Sequence, residues 1–83
     1  MNNTDTFIHH CKQEIVNYAS EHGHPITEAE VYVVWQCKTI QNNKALLYAS
    51  ALHRTYFEIT YNGDKGELYM DVYHKVYKRT IVI

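Results

Sequence analysis

The sequence predicts an α+β domain in which an N-terminal helix packs on one face of an antiparallel sheet of about four strands. Three observations support this prediction: a helical apolar periodicity over residues 4–22, strand-like alternation over residues 56–76, and short connections throughout. Short connections join neighbouring antiparallel strands, so the strands are expected to follow one another as a meander. The whole chain, residues 1–83, is expected to form a single domain around one core.

Residues 4–22 form the predicted helix because apolar residues recur there at steps of three and four. Thr4 or Asp5 is the predicted N-cap, and the helix is expected to end before Gly23 and Pro25, which suit a helix C-terminus. The apolar stripe consists of Phe7, Ile8, Cys11, Ile15, Tyr18 and Ala19.

Residues 56–76 predict a β-hairpin, since two alternating runs flank a turn at Asn62–Gly66. The glycines of that turn supply positive-φ positions at little steric cost. If Gly63 lies opposite Gly66, the expected apolar pairs are Tyr61 with Leu68, Ile59 with Met70 and Phe57 with Val72.

Two more strands are predicted before the hairpin, joined by a turn at residues 41–44. Residues 31–40 are β-branched and aromatic. Their covered face is expected to hold Val31, Val33, Trp35 and Cys37. Residues 45–52 are predicted as the second strand, although their composition also suits a helix, and a bulge or short helix there is an open alternative. The segment 77–83 is expected to continue the last strand or to form a short terminal one.

Composition points to an ordered, soluble, cytosolic protein. The chain is 46% hydrophobic and its net charge is −1, which disfavours non-specific binding to nucleic acid through the overall field but leaves a local basic patch open. No apolar run reaches the ~20 residues of a membrane span, and residues 1–14 lack the regions of a signal peptide. Cys11 and Cys37 are expected to be free thiols buried on the apolar faces of the helix and the first strand.

Two segments, residues 31–47 and 56–75, resemble a family of small uncharacterised proteins encoded by phages and prophages of Gram-positive bacteria. The resemblance covers roughly the last two thirds of the chain. The matching residues are Trp35, Cys37, Lys38, Thr39 and the Tyr-Asn-Gly-Asp-Lys turn at 61–65. It implies a phage gene product acting in a bacterial cytoplasm, and it implies no catalytic residue.

Metal binding and catalysis are the less favoured functions. Six histidines and two cysteines include the cluster His9-His10-Cys11, but adjacent helical side chains diverge by about 100° and no ligand pair has the usual zinc spacing. Glu58 is expected opposite Asp71 on the outer face, where an enclosed pair would have perturbed pKa values and an open one would stay solvated. No catalytic residue, metal or cofactor is therefore assigned.

The outer face of the hairpin is the predicted binding surface. Tyr56 and Tyr73 are expected to be cross-strand neighbours with Tyr69 nearby, and Lys75 and Arg79 follow in the chain. Tyrosine and arginine are enriched at binding hot spots, so these five residues are predicted to bind a host or phage protein. The alternatives are nucleic-acid binding through Tyr69, Tyr73, Lys75, Lys78 and Arg79, and a purely structural role as strand-forming tyrosines.

A homodimer is the predicted oligomeric state. Residues 80–83, Thr-Ile-Val-Ile, are β-branched and mostly apolar, and leaving them in water is costly at ~25 cal/mol per Å². They are expected either to fold back on their own sheet or to pair with a second copy.

Overall fold

The computed structural model describes residues 4–83 and has the predicted α+β architecture, one helix followed by a four-stranded antiparallel sheet. The strands lie in chain order, β1-β2-β3-β4, so the sheet is a meander. The elements are α1 (Thr4–Glu21), a 3₁₀ turn (Glu28–Glu30), β1 (Val31–Thr39), β2 (Asn42–Ala49), β3 (Thr55–Asn62) and β4 (Glu67–His74).

The helix buries its apolar stripe against one face of the sheet, which we call the inner face. Four stripe residues at three- and four-residue steps are completely buried: Phe7, Cys11, Ile15 and Ala19. The completely buried residues opposite them in the sheet are Ala45, Leu47, Ala49, Phe57 and Ile59. The ring of Tyr18 meets Phe57 edge to face with centroids 5.3 Å apart, so helix and sheet share one continuous core.

Both predicted helix ends can be compared with the structure. Thr4 and Asp5 are themselves helical, so the predicted cap at either residue is wrong, and the residues before Thr4 lie outside the described part of the chain. The C-terminal prediction is confirmed: Gly23 has a φ of 79°, and the His24 N–H donates to the Ala19 carbonyl at 2.8 Å.

The β3–β4 hairpin has the predicted register. Tyr61 faces Leu68, Ile59 faces Met70 and Phe57 faces Val72. Only one of the two turn glycines takes a positive φ, Gly66 at 65°. Gly63 is needed for another reason, because a Cβ there would lie 2.3 Å from the Gln41 carbonyl oxygen.

The turns of the two hairpins contact each other at one end of the sheet, which we call the tip end. The Gly63 N–H donates to Asn42 Oδ1 at 2.9 Å. Gln41 Nε2 donates to Asp64 Oδ1 nearby. The opposite end of the sheet carries the start of β3 and the end of β4, and we call it the open end.

The first hairpin differs from the prediction in its turn. The turn is Ile40–Gln41 and not 41–44, with Ile40 at a φ of 54°, and β2 begins at Asn42 rather than Ala45. Pairing Thr39 with Asn42 sets a register that buries every second residue of β2. That burial outweighs the backbone strain at Ile40, which at an exposed position is on the order of 1–2 kcal/mol.

The predicted covered face of β1 is correct for Val31 and Val33 and wrong for Trp35 and Cys37. A bulge between Val33 and Trp35 inserts Val34 as an extra residue and reverses the alternation beyond it. Trp35 therefore lies on the outer face, 43% exposed, and Cys37 is exposed rather than buried. Cys11 is buried as predicted, and both cysteines are free.

The segment after β4 forms no strand among the described residues, contrary to the prediction of a continued or terminal strand. The Lys75 N–H still donates to the Arg54 carbonyl at 2.7 Å. Beyond it the chain leaves the sheet, and Ile81, Val82 and Ile83 are largely exposed.

Candidate functional site

The candidate site is the outer face of the sheet, on the side opposite α1. Successive registers align four tyrosines in one row across all four strands: Tyr32 pairs with Tyr48, Tyr48 with Tyr56, and Tyr56 with Tyr73. We call these four residues the tyrosine row. The row lies at the open end of the sheet, since it joins the start of β1 and β3 to the end of β2 and β4.

The tyrosine row is most exposed at its two ends. Tyr32 and Tyr73, on the edge strands, are 57% and 52% exposed, whereas Tyr48 and Tyr56 on the central strands are half-buried. The central rings have centroids 5.2 Å apart and are tilted by 33°. Such offset contacts between aromatic neighbours stabilise a sheet. The contact between Tyr48 and Tyr56 therefore orders the centre of the row, and the rings of Tyr32 and Tyr73 are accessible at its two ends.

Trp35 extends this aromatic surface because of the β1 bulge. It pairs with Leu46 in the register next to the tyrosine row, and Leu46 is partly exposed. Without the bulge, strict alternation from Val33 would place Trp35 on the inner face with the core. The bulge therefore moves the largest side chain of β1 to the outer surface.

A polar row lies beside the tyrosine row on β3 and β4. Glu58 faces Asp71, as predicted, and Glu58 forms an ion pair with Lys44, whose Nζ lies 3.6 Å from Glu58 Oε2. The Tyr73 hydroxyl donates to Glu58 Oε1 at 3.5 Å. The negative charge of Glu58 raises the pKa of Tyr73 above its ordinary value.

Three of the five predicted binding residues lie on the outer face. Tyr56 and Tyr73 are direct cross-strand neighbours, as predicted, and Tyr69 lies two residues before Asp71 on β4. The Tyr69 hydroxyl donates to Glu67 Oε1 at 2.5 Å, and this hydrogen bond raises the pKa of Tyr69.

The two predicted cations lie beyond the sheet. Lys75 follows β4 directly, with its backbone tied to Arg54. Arg79 is farther along, and its Nε donates to the Tyr77 hydroxyl at 3.0 Å. The structure thus separates the predicted set into outer-face tyrosines and cations at the open end.

Sequence reasoning missed Tyr32, Tyr48 and Trp35 as members of the outer surface. For Tyr48 a signal exists: Ala45, Leu47 and Ala49 form one alternating set, which leaves Leu46 and Tyr48 on the other face. Trp35 has no such signal, because the bulge that exposes it is set by the pairing of two strands.

The histidines do not converge. His9 Nδ1 lies 3.0 Å from Glu28 Oε1, and the His22 ring stacks on Tyr18 with centroids 4.0 Å apart. Within residues 4–83, no three His, Cys, Asp or Glu side chains come together in a group able to hold a metal ion.

In the described part of the chain no helix is both long and apolar enough to cross a membrane.

Comparison with known proteins gives one match. No curated protein and no solved structure matches the chain. The model of a family of unknown function, DUF6275, matches residues 8–83, nearly the whole sequence, and the chain therefore belongs to that family.

Proposed function

We propose that this chain is a non-enzymatic accessory protein of a phage or prophage that binds a host or phage protein through its outer sheet face. The tyrosine row, with Trp35 in the next register and Tyr69 beyond the polar row, is the observation that supports this function. The resemblance to phage and prophage proteins supports action in the cytoplasm of a bacterial host.

The physical argument rests on the exposure of aromatic side chains that form a cluster. Single exposed aromatics are ordinary on protein surfaces, whereas contiguous apolar patches mark interaction sites. Tyr32, Trp35, Tyr69 and Tyr73 are each between 42% and 57% exposed on one face. Tyrosine offers a large rigid contact area at low entropic cost with a polar tip, which suits it to protein interfaces.

The test is capture of a partner from a nuclease-treated lysate of a bacterial host. The variant Tyr56→Ser/Tyr69→Ser/Tyr73→Ser should lose the captured protein while keeping a native far-ultraviolet circular dichroism spectrum. The matched control is Gln13→Ser/Glu14→Ser/Asn17→Ser on the exposed side of α1, which should retain it. Equal capture by the tyrosine variant and the wild type would overturn the proposal.

A second copy of the chain is another partner, favoured by the exposed C-terminal residues. Ile81, Val82 and Ile83 are 71% exposed or more and belong to no strand. Covering them at a sheet edge of a partner would remove this apolar surface from water. Size exclusion with light scattering should give twice the 9.8 kDa chain mass at micromolar concentration. A mass of 9.8 kDa at every concentration would rule out the homodimer.

A further inference from the structure

A groove of about 410 Å³ lies at the open end of the sheet, between the tyrosine row and the segment after β4. Three tyrosines line it: Tyr48 and Tyr56 from the centre of the row, and Tyr77 from the segment after β4. Its volume is in the range of sites that hold one small organic group. The groove is therefore about the size of a single ligand and is lined by tyrosines from both the sheet and the segment after β4.

The charged side chains that line this groove are cations. Arg54, Lys75 and Lys78 contribute three of the eight Lys and Arg residues of the chain. None of the acidic side chains in residues 4–83 lines it, although the whole chain has a net charge of −1. Positive charge is thus concentrated at the open end, while Glu58 and Asp71 lie farther along the sheet.

Backbone contacts fix the positions of these groups. Arg54 has a φ of 61°, an uncommon conformation for a residue other than glycine that is often found at functional sites. Its carbonyl accepts the Lys75 N–H at 2.7 Å, so the two cations project from adjoining backbone. Arg79 holds Tyr77 through the hydrogen bond to its hydroxyl, with the guanidinium carbon 5.9 Å from the ring centroid.

We infer that this groove binds single-stranded nucleic acid, with a base stacked on the tyrosines and the phosphates held by Arg54, Lys75 and Lys78. Stacking platforms combined with cations along the backbone are the means by which proteins hold single strands without reading sequence. A duplex conceals the faces of its bases, so it cannot use the rings. An acidic peptide would use the cations but not the rings. The groove shares Tyr48 and Tyr56 with the proposed protein interface, whereas Lys75, Tyr77 and Lys78 lie outside that interface and distinguish the two activities.

Binding of a fluorescently labelled oligothymidylate, measured by fluorescence anisotropy, tests the inference. For single strands, each phosphate contact contributes about −0.7 to the slope of log affinity against log salt concentration, so three contacts give a slope of about −2. Affinity should therefore fall roughly 20-fold between ~50 and ~200 mM salt. Lys75→Ala/Lys78→Ala should reduce the slope to about −0.7. The control Lys38→Ala/Lys65→Ala makes the same charge change outside the groove and should leave the slope at about −2.

The stacking part of the inference has its own pair of variants. Tyr77→Ala should weaken binding at least about fivefold, since stacking on an aromatic side chain contributes that much or more. His10→Ala removes an exposed aromatic ring on α1 that does not line the groove and should leave affinity unchanged. Both side chains are exposed, so both variants should keep the native circular dichroism spectrum.

Four outcomes would overturn the inference. The first is no binding at ~50 mM salt, where phosphate contacts are strong. The second is equal loss of affinity in the groove variants and their controls. The third is equally tight binding of inorganic polyphosphate or of polyglutamate, which would show a site for acidic chains in general. The fourth is binding of a free mononucleotide as tightly as the oligonucleotide, which would assign the groove to a small molecule.

Discussion

The two faces of the sheet are built from the same strands and differ in what their side chains contact. On β3, Phe57 and Ile59 point to the inner face and are completely buried under α1, while Tyr56 and Glu58 point to the outer face. Burial under α1 explains the apolar residues at the centre of the inner face. The outer face is covered by no element of the described chain, so folding alone does not require its clustered aromatics. This difference is the basis for placing function on the outer face.

The largest expected effect is on the inner face. Phe57→Ala should lower the free energy of unfolding by about 3–5 kcal/mol, through lost burial and the cavity left beside Tyr18. A domain of this size has a net stability of only about 3–5 kcal/mol, so the variant should be largely unfolded. Urea unfolding followed by circular dichroism would measure this. Phe57→Leu, which fills most of the space, should remain folded, and a wild-type midpoint for Phe57→Ala would contradict the role of the inner face.

The buried Cys11 and the exposed Cys37 extend the comparison of the two faces to the pH dependence of stability. Burial raises the pKa of Cys11 from 9.0 to about 12. Between these two values the unfolded thiol ionises and the folded one does not, so the folded state binds more protons and stability falls as pH rises. The loss reaches up to about 1.4 kcal/mol per pH unit above pH 9 and is absent below it.

Urea unfolding at pH values on either side of 9 would measure the contribution of Cys11. The loss should be smaller in Cys11→Ala than in the wild type, because the titrating thiol is gone. Cys37→Ala changes a thiol on the outer face and should keep the wild-type dependence, since Cys11 remains. Identical pH profiles for the wild type and Cys11→Ala would contradict the burial of this thiol.

On the outer face, Tyr73→Ala should have a much smaller effect. A cross-strand aromatic pair contributes roughly 0.2–1 kcal/mol, so the free energy of unfolding should fall by no more than about 1 kcal/mol. Tyr32→Ala, at the other end of the tyrosine row, should behave alike. A loss as large as that of Phe57→Ala would mean that the row is structural, and would remove the main argument for an interface.

The smallest expected effect is that of deleting Val34, the extra residue of the β1 bulge. After the deletion, Val33 still points inward and Trp35 still points outward, so stability should change by less than about 1 kcal/mol. Trp35 is the single tryptophan, and its fluorescence should remain that of an exposed indole, readily quenched by acrylamide. Emission protected from the quencher would show that Trp35 had moved into the core.

The regions that the sequence predicts well are those specified by local residues. The β3–β4 register follows from Gly63, Gly66 and two clear alternating runs, and the α1 stripe follows from its periodicity. The first hairpin was predicted less well, because Ile40 does not resemble a turn residue and takes a positive φ only when β2 is buried in register. The bulge at Val34 likewise arises from pairing with β2.

The same limit applies to the candidate site. Tyr56, Tyr69 and Tyr73 lie on one hairpin, so alternation alone places them together on the outer face. The complete row and the groove require the registers of β1 with β2 and of β2 with β3, which join residues distant in sequence. Arg54 and Lys75 meet only because β3 and β4 pair to their ends.

The contact between the two hairpin turns at the tip end has a consequence for folding kinetics. Asn42 and Gly63 are 21 residues apart, and Gln41 and Asp64 are 23 apart, so we expect these contacts to form late in folding, after β2 and β3 have paired. Contacts that form after the transition state slow unfolding and leave the folding rate unchanged. Weakening them, for example by Asn42→Ala, should therefore speed unfolding at a constant folding rate. We therefore expect the contacts at the tip end to set how long the folded sheet persists, and so how long the groove at the open end stays assembled.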